Sequence, residues 1–215
     1  MLRTVLNKND HLKILCIGAH SDDLEIGCGG AILRLLQEYP ESEVYWIVFS
    51  SPGIRATEAR DSAGLFLKDA KQKTIIIQEF PDSLFPSVFN QIKSYFEELK
   101  ITVSPDLIFT HYRCDLHQDH KLLSDLTWNT FRNHLILEYE IIKFDGDLGV
   151  PNFFIPLSEE LISQKIKNIL SVFNSQKTRS WFSEDTFRSI MRIRGIECNS
   201  ADRFAEAFYC RKILI

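Results

Sequence analysis

Along the first 131 positions of this chain, short unbroken apolar runs alternate with longer segments in which apolar residues recur every three or four positions. The first run, Ile14-Leu15-Cys16-Ile17, carries no polar alternation and ends at Gly18, the pattern of a strand buried on both faces of a parallel sheet. From Gly30 the segment 31–38 has helical spacing, and Pro40 stops it. The alternation then repeats: a strand at 44–49, a helix at 57–67, and a strand at 74–78 built on Ile75-Ile76-Ile77. Next come an amphipathic helix at 88–99 (Val88, Ile92, Phe96 and Leu99 on one face), a short strand Leu107-Ile108-Phe109 and a helix at 119–131. Four strand-and-helix units in succession predict an α/β fold: a doubly wound, mostly parallel sheet with helices on both faces.

Beyond that the pattern loosens. A strand is expected at 136–142, a turn-rich loop at Phe144-Asp145-Gly146-Asp147-Leu148-Gly149, and an extended piece at 152–156. Ser158 caps a helix carrying Leu161, Ile162, Ile166, Ile169, Leu170 and Phe173 on its apolar positions, and a further helix is expected at 184–194. This half is expected to wrap the sheet's edge, and the loose region 144–156, with Asp145 and Asp147, is where loops around that edge would build substrate specificity. No repeat or linker interrupts the chain, and 215 residues suffice for one sizeable core but not for two, so a single domain spanning 1–215 is predicted.

Composition narrows the class. Lys and Arg total 25 against 29 Asp and Glu, a net charge of -4, which gives no general attraction to nucleic acid or anionic lipid. With 45% hydrophobic and 12% aromatic residues the chain has the means to fold. The stretch 1–12 is mixed and polar, and no segment resembles a secretory signal or a membrane span, so a cytoplasmic protein without a transmembrane segment is expected. Five scattered cysteines (Cys16, Cys28, Cys114, Cys198, Cys210), with no C-x-x-C pair, read as reduced thiols rather than a disulfide framework or a zinc knuckle.

Two clusters can carry chemistry. Ala19-His20-Ser21-Asp22-Asp23 directly follows the first predicted strand, and open parallel sheets bind ligands at the carboxyl ends of their strands. One histidine and two carboxylates there can supply an imidazole and an oxygen to a divalent metal and leave one carboxylate free as a base. A helix cap would account for one of the acids, yet two neighbouring carboxylates repel unless a cation or a positive helix end lies between them. The second cluster, His111-Tyr112-Arg113-Cys114-Asp115-Leu116-His117-Gln118-Asp119-His120, follows the fourth strand and should emerge on the same edge. His117 and His120 lie close enough for one to bind a metal and the other to reach its substrate, while Asp115 and Asp119 can orient the imidazoles. Between the clusters, Gly27-Cys28-Gly29-Gly30 fits neither G-x-G-x-x-G nor G-x-x-x-x-G-K-[ST] and is expected to let a helix start pack closely on the sheet. No serine sits in a G-x-S-x-G elbow.

The segment from Ala19 to Gly30 resembles the A-H-P-D-D signature and following glycines of the PIG-L/LmbE-like N-deacetylases, and His117-Gln118-Asp119-His120 resembles their H-x-D-H element. Weaker echoes lie at Arg55-Ala56-Thr57-Glu58, Phe80-Pro81-Asp82-Ser83-Leu84, Arg194-Gly195 and Ala205-Glu206-Ala207-Phe208, so the resemblance covers nearly the whole chain. Ser21 departs from the usual proline, removing some rigidity but no ligand or base. The resemblance implies a Rossmann-like fold and hydrolysis of the acetamide of an N-acetylated amino sugar of the N-acetylglucosamine type by one divalent metal, commonly Zn2+, with Fe2+ as an alternative in the same site. It implies that His20, Asp23 and His120 hold the metal, that Asp22 is the general base, and that His117, protonated and held by Asp119, stabilises the oxyanion. Arg55 is the candidate for sugar or phosphate recognition, with Arg60 an alternative, and Asp82 for sugar hydroxyls. Two other readings remain: a metal-dependent phosphoesterase, which often needs two ions, and a non-catalytic sugar-nucleotide binding module.

Overall fold

Alternate residues of β1 (Lys13–His20) point to opposite faces of a sheet, and both sets are apolar. In the computed structural model, which describes residues 11–213, Ile14 and Cys16 enter one core while Leu15, Ile17 and Ala19 enter a second. All five are fully buried, which explains why the run has no polar alternation. The stretch 1–12 lies, except for its last two residues, outside the described part.

β2 (Glu43–Ser50) and β3 (Gln72–Ile77) extend the sheet on one side of β1, and β4 (Leu107–His111) and β5 (Leu135–Tyr139) on the other, all parallel. β6 (Phe153–Pro156) and β7 (Ala205–Tyr209) complete it as antiparallel strands, giving the order β3-β2-β1-β4-β5-β7-β6. The expected α/β, doubly wound and mostly parallel sheet is present. Helices α1 (Asp23–Glu38), α2 (Ile54–Phe66), α5 (Glu159–Val172) and α6 (Glu184–Glu197) contribute to the first core; α3 (Phe89–Thr102) and α4 (Gln118–Thr130) contribute to the second. The chain winds outward in both directions from the β1/β4 pair, so the crevice beyond the carboxyl ends of these strands is the topological switch point. Both chemical clusters emerge there.

Two expectations need correction. α1 starts at Asp23 rather than Gly30, so the glycine run lies inside the helix. The close packing expected of the glycines is real. A Cβ on Gly27 would lie 2.2 Å from the ring of Tyr139, and one on Gly30 would lie 2.5 Å from Leu157 Cδ1. Gly30 also admits a carboxylate into the helix: Gly30 N–H and Ala31 N–H donate to Glu206 Oε1 and Oε2 at 2.8 and 2.6 Å. Lys165 Nζ, fully buried, pairs with Glu206 and donates to Ile26 O at 2.6 Å. An ion pair from β7 and α5 is thereby spliced into the backbone of α1. The other correction is β7 itself, a strand not expected from its composition, since Ala205-Glu206-Ala207 offers little β propensity. Among the described residues, no helix is long and apolar enough to cross a membrane.

Candidate metal centre and catalytic site

β1 ends on His20, and the chain turns into α1 within two residues. Asp22 makes this possible by adopting φ 94°, in the left-handed region that non-glycine residues seldom enter but aspartate tolerates. Asp22 sits at the helix cap position, yet its side chain makes no capping hydrogen bond. Asp23 Oδ2 accepts the His20 N–H at 2.7 Å. Capping therefore does not account for these acids. Across the switch point, β4 ends on His111, and a loop leads to His117, the cap residue of α4, whose Nδ1 accepts the Asp119 N–H at 3.3 Å. His120 follows in the first turn.

Three ligand-type atoms from these segments converge. His20 Nδ1 lies 3.2 Å from His120 Nε2 and 3.4 Å from Asp23 Oδ2, and His120 Nε2 lies 3.4 Å from Asp23 Oδ2. With bonds of 2.0–2.1 Å, a tetrahedral ion separates its ligands by about 3.3 Å. The triangle therefore fits one ion of zinc's size, and all three residues are buried. Among the described residues two further trios, His20-His117-Asp119 and His111-Asp115-His120, each share a histidine with it.

The outward-facing nitrogens meet carboxylates. His120 Nδ1 lies 3.0 Å from Asp115 Oδ2, and His20 Nε2 lies 3.2 Å from Asp119 Oδ2 and 3.3 Å from Asp82 Oδ1. Such contacts fix imidazole orientation and strengthen metal ligation. In the metal-free protein the same acids draw protons onto the rings. Burial lowers the pKa of His120, but Asp23 and Asp115 outweigh it and push it up to about 9. His20 is likewise raised against burial, by Asp119, Asp23 and Asp82. Burial raises Asp23, but His120 and His111 overcome it and hold the carboxyl well below the usual range.

Asp22 differs from its neighbour. Burial, then the adjacent Asp23 charge, pushes its carboxyl well above the usual range, and its facing cation is Arg55, with Nη2 at 3.9 Å from Oδ1. Arg55 is held by Ser21 and Asp82: Nε donates to Ser21 Oγ at 2.8 Å, Nη2 to Ser21 O at 3.3 Å, and Nη1 to Asp82 Oδ2 at 3.2 Å. Arg55 and Asp82 thus both reach the site, whereas Arg60 donates to Ala56 O of its own helix. Ser21, the departure from the family's proline, supplies Arg55 with an acceptor.

Asp119 holds the His117 ring through its backbone N–H and not, as expected, through its carboxylate. The Asp119 carboxylate instead accepts backbone N–H groups from Ser83 at 2.7 Å and Phe85 at 3.0 Å, tying the loop after β3 to the site. Nor is His117 favoured as an imidazolium, because burial and then the neighbouring His120 and His20 lower its pKa. Two further residues, His111 and Tyr139, join the site. His111 Nε2 accepts the Ala19 N–H at 2.9 Å, lies 3.3 Å from Asp23 Oδ2 and is stacked on His120, bracing both clusters. Tyr139 joins Ile17 O, at 2.8 Å, to His111. The position of His111 directly after an apolar strand was its only visible signal.

Fold and site together define an α/β protein that gathers histidines and carboxylates at the switch point of a parallel sheet. The chain belongs to the PIG-L family, described as GlcNAc-PI de-N-acetylase, which matches residues 15–131, just over half its length. Its fold is similar to that of the conserved protein TT1542 from Thermus thermophilus, at 19% identity over 95% of this chain and 96% of that one, with a TM-score of 0.75. N,N'-diacetylchitobiose deacetylase from Pyrococcus horikoshii is 21% identical over 92% and 83% of the two chains, with a TM-score of 0.65. GalB, the 4-carboxy-2-hydroxymuconate hydratase of Pseudomonas putida, is 15% identical over 95% and 98%, with a TM-score of 0.66. At these identities the likeness concerns the fold.

Proposed function

We propose that this chain is a metal-dependent N-deacetylase that hydrolyses the acetamide of an N-acetylated amino sugar of the N-acetylglucosamine type, releasing acetate and a free amine. A deacetylase and a hydratase share this fold, so the reaction must be argued from residues rather than architecture. The observation that carries the reading is the buried triangle of His20, Asp23 and His120 beside Asp22, whose carboxyl is not used in capping α1. The chemistry supplied by a divalent ion there, Zn2+ or Fe2+, is polarisation of the acetyl carbonyl and acidification of water.

Asp22 is the general base: it accepts a proton from the attacking water and returns it to the nitrogen as the C–N bond breaks. Burial and the Asp23 charge make it hold a proton more readily than an ordinary carboxylate, which suits a group that takes a proton and passes it on. His117 supplies the oxyanion donor as a neutral ring. Because Nδ1 accepts the Asp119 N–H, the proton sits on Nε2, free to donate to the developing negative charge. Asp119 acts on His20 and on the loop carrying Asp82, and Arg55 and Asp82 form the polar wall facing the sugar.

A two-ion phosphoesterase is less well supported, because the other two trios reuse His20 or His120. The five free cysteines support a reducing, cytoplasmic setting. The test is amine release by metal-loaded enzyme from N-acetylhexosamine glycosides, lipid-linked sugars and sugar nucleotides, with phosphate release from phosphoesters in parallel. Amine without phosphate supports the reading; phosphate alone, or tight metal-independent nucleotide binding, would replace it.

A further inference from the structure

We propose that Lys143, in the loop after β5, is a positioning residue that holds the metal ligand His120 through Asp115. The inference rests on the reading of His20, Asp23 and His120 as a metal site. Asp115 is the hub. Its Oδ2 lies 3.0 Å from His120 Nδ1 and 3.0 Å from Lys143 Nζ, while its Oδ1 accepts the His117 N–H at 2.8 Å. One buried carboxylate therefore sets the direction of the His120 ring and the backbone of His117. Without the ammonium, one of the groups fixing its orientation is gone.

Lys143 is itself immobilised. Its Nζ is paired with Asp147 and lies 3.8 Å from Asp145, and only about a tenth of the side chain is exposed, at 11%. Asp147 Oδ2 also accepts the Leu116 N–H at 2.8 Å, clamping this loop to the loop that carries Asp115. The far end is fastened from α6: Arg194 pairs with Glu140 through two contacts of 2.7 Å and donates to Gly149 O at 3.2 Å. The segment between Glu140 and Gly149, which overlaps the region 144–156 expected to build substrate specificity, is thus pinned at both ends and delivers an ammonium to one fixed point. Asp147 is committed to that brace and is not free for substrate.

The proposal makes a prediction opposite in sign to that of a simple charge. An ammonium near a dication repels it, so if charge were its whole contribution, removing Lys143 would tighten metal binding. Removing a brace weakens it. Carboxylates that orient metal-ligating histidines are typically worth about 10- to 100-fold in affinity, and Lys143 acts one contact further out.

The experiment is chelator competition for Zn2+ on the full chain, comparing wild type with K143M, K143R and D147N. K143M is expected to bind about tenfold more weakly, at the lower end of that range. D147N should shift in the same direction, and K143R should recover most of the loss. Cobalt-loaded K143M should also change its visible absorption, which a general loss of stability would not cause. If K143M does not fold, D147N carries the same test. Variants that bind as tightly as wild type, or more tightly, with an unchanged cobalt spectrum would overturn the proposal while leaving the metal site standing. A wild type that binds no metal would overturn both.

Discussion

Asp22→Asn separates catalysis from metal binding and from stability. The substitution keeps the side chain's shape and removes its charge and basicity, and asparagine tolerates the left-handed backbone at φ 94° as well as aspartate does. Two opposing contributions act on the ionised carboxylate. Arg55 at 3.9 Å attracts it by about 4 kcal/mol at an effective dielectric of about 20. Burial and the Asp23 charge oppose ionisation, and the raised pKa shows that they win. A carboxyl raised in the folded state contributes stability at low pH that is lost as pH rises through its folded value. The side-chain amide of the variant has no such proton to lose, so its metal-free melting temperature near neutrality should equal or exceed the wild type's. Loss of a general base should slow turnover about 10²- to 10⁴-fold, or about 3 to 5 kcal/mol of barrier. Amine release, measured alongside zinc content and thermal melting, checks all three. Turnover within about threefold of wild type, well short of the loss of a general base, would refute Asp22 as the base. Loss of zinc would refute its separation from the ligand set.

Three other outcomes follow from particular contacts. In the metal-free protein, His120 near 9 against its ordinary 6.5 contributes about 3 kcal/mol, at roughly 1.4 kcal/mol per pH unit, and this is lost as pH rises from 6.5 through 9. The melting temperature of metal-free wild type should therefore fall across that window more steeply than that of His120→Ala, and equal slopes would contradict the assignment. Gly27→Ala pushes a methyl into the Tyr139 ring and should cost about 1–3 kcal/mol in urea unfolding, whereas a neutral effect would show that the ring can move away. Lys165→Met leaves Glu206 buried without its cation and Ile26 O without its donor. A loss of about 3–5 kcal/mol is expected, and less than about 1 kcal/mol would show the splice into α1 to be dispensable.

Much of the architecture was legible because burial on two faces writes itself into sequence. The run Ile14 to Ile17 has no solvent side to encode, Ile75 to Ile77 of the edge strand β3 pack partly buried against both cores, and the clusters after β1 and β4 could meet only at the sheet's carboxyl edge. The start of α1 was not legible, since glycines disfavour helix interiors and here are set by what presses on them: Tyr139, Phe66 and Leu157. β7 is not legible because Glu206 interrupts it, and that acid is buried through a lysine 41 positions away and two backbone N–H groups of α1. The ligand-type residues stood out, as did Asp115 and Asp119 as carboxylates able to orient them, yet the more distant supports did not. Tyr139 and Lys143 act through contacts made by the folded chain of which local spacing carries no trace, and for His111 the cluster marked the residue but not its contacts. The Asp119 carboxylate differs too: the family resemblance implies that it holds His117, whereas folding brings it to Ser83, Phe85 and His20.

The central claim is that His20, Asp23 and His120 hold one metal ion beside Asp22. Elemental mass spectrometry of wild type and His120→Ala, purified and reloaded identically, tests it without any assumption about substrate. About one zinc or iron per wild-type chain, lost in the variant, is the predicted result for a single tetrahedral-type site with open positions. No bound metal in wild type after reloading, or undiminished metal in His120→Ala, would contradict it.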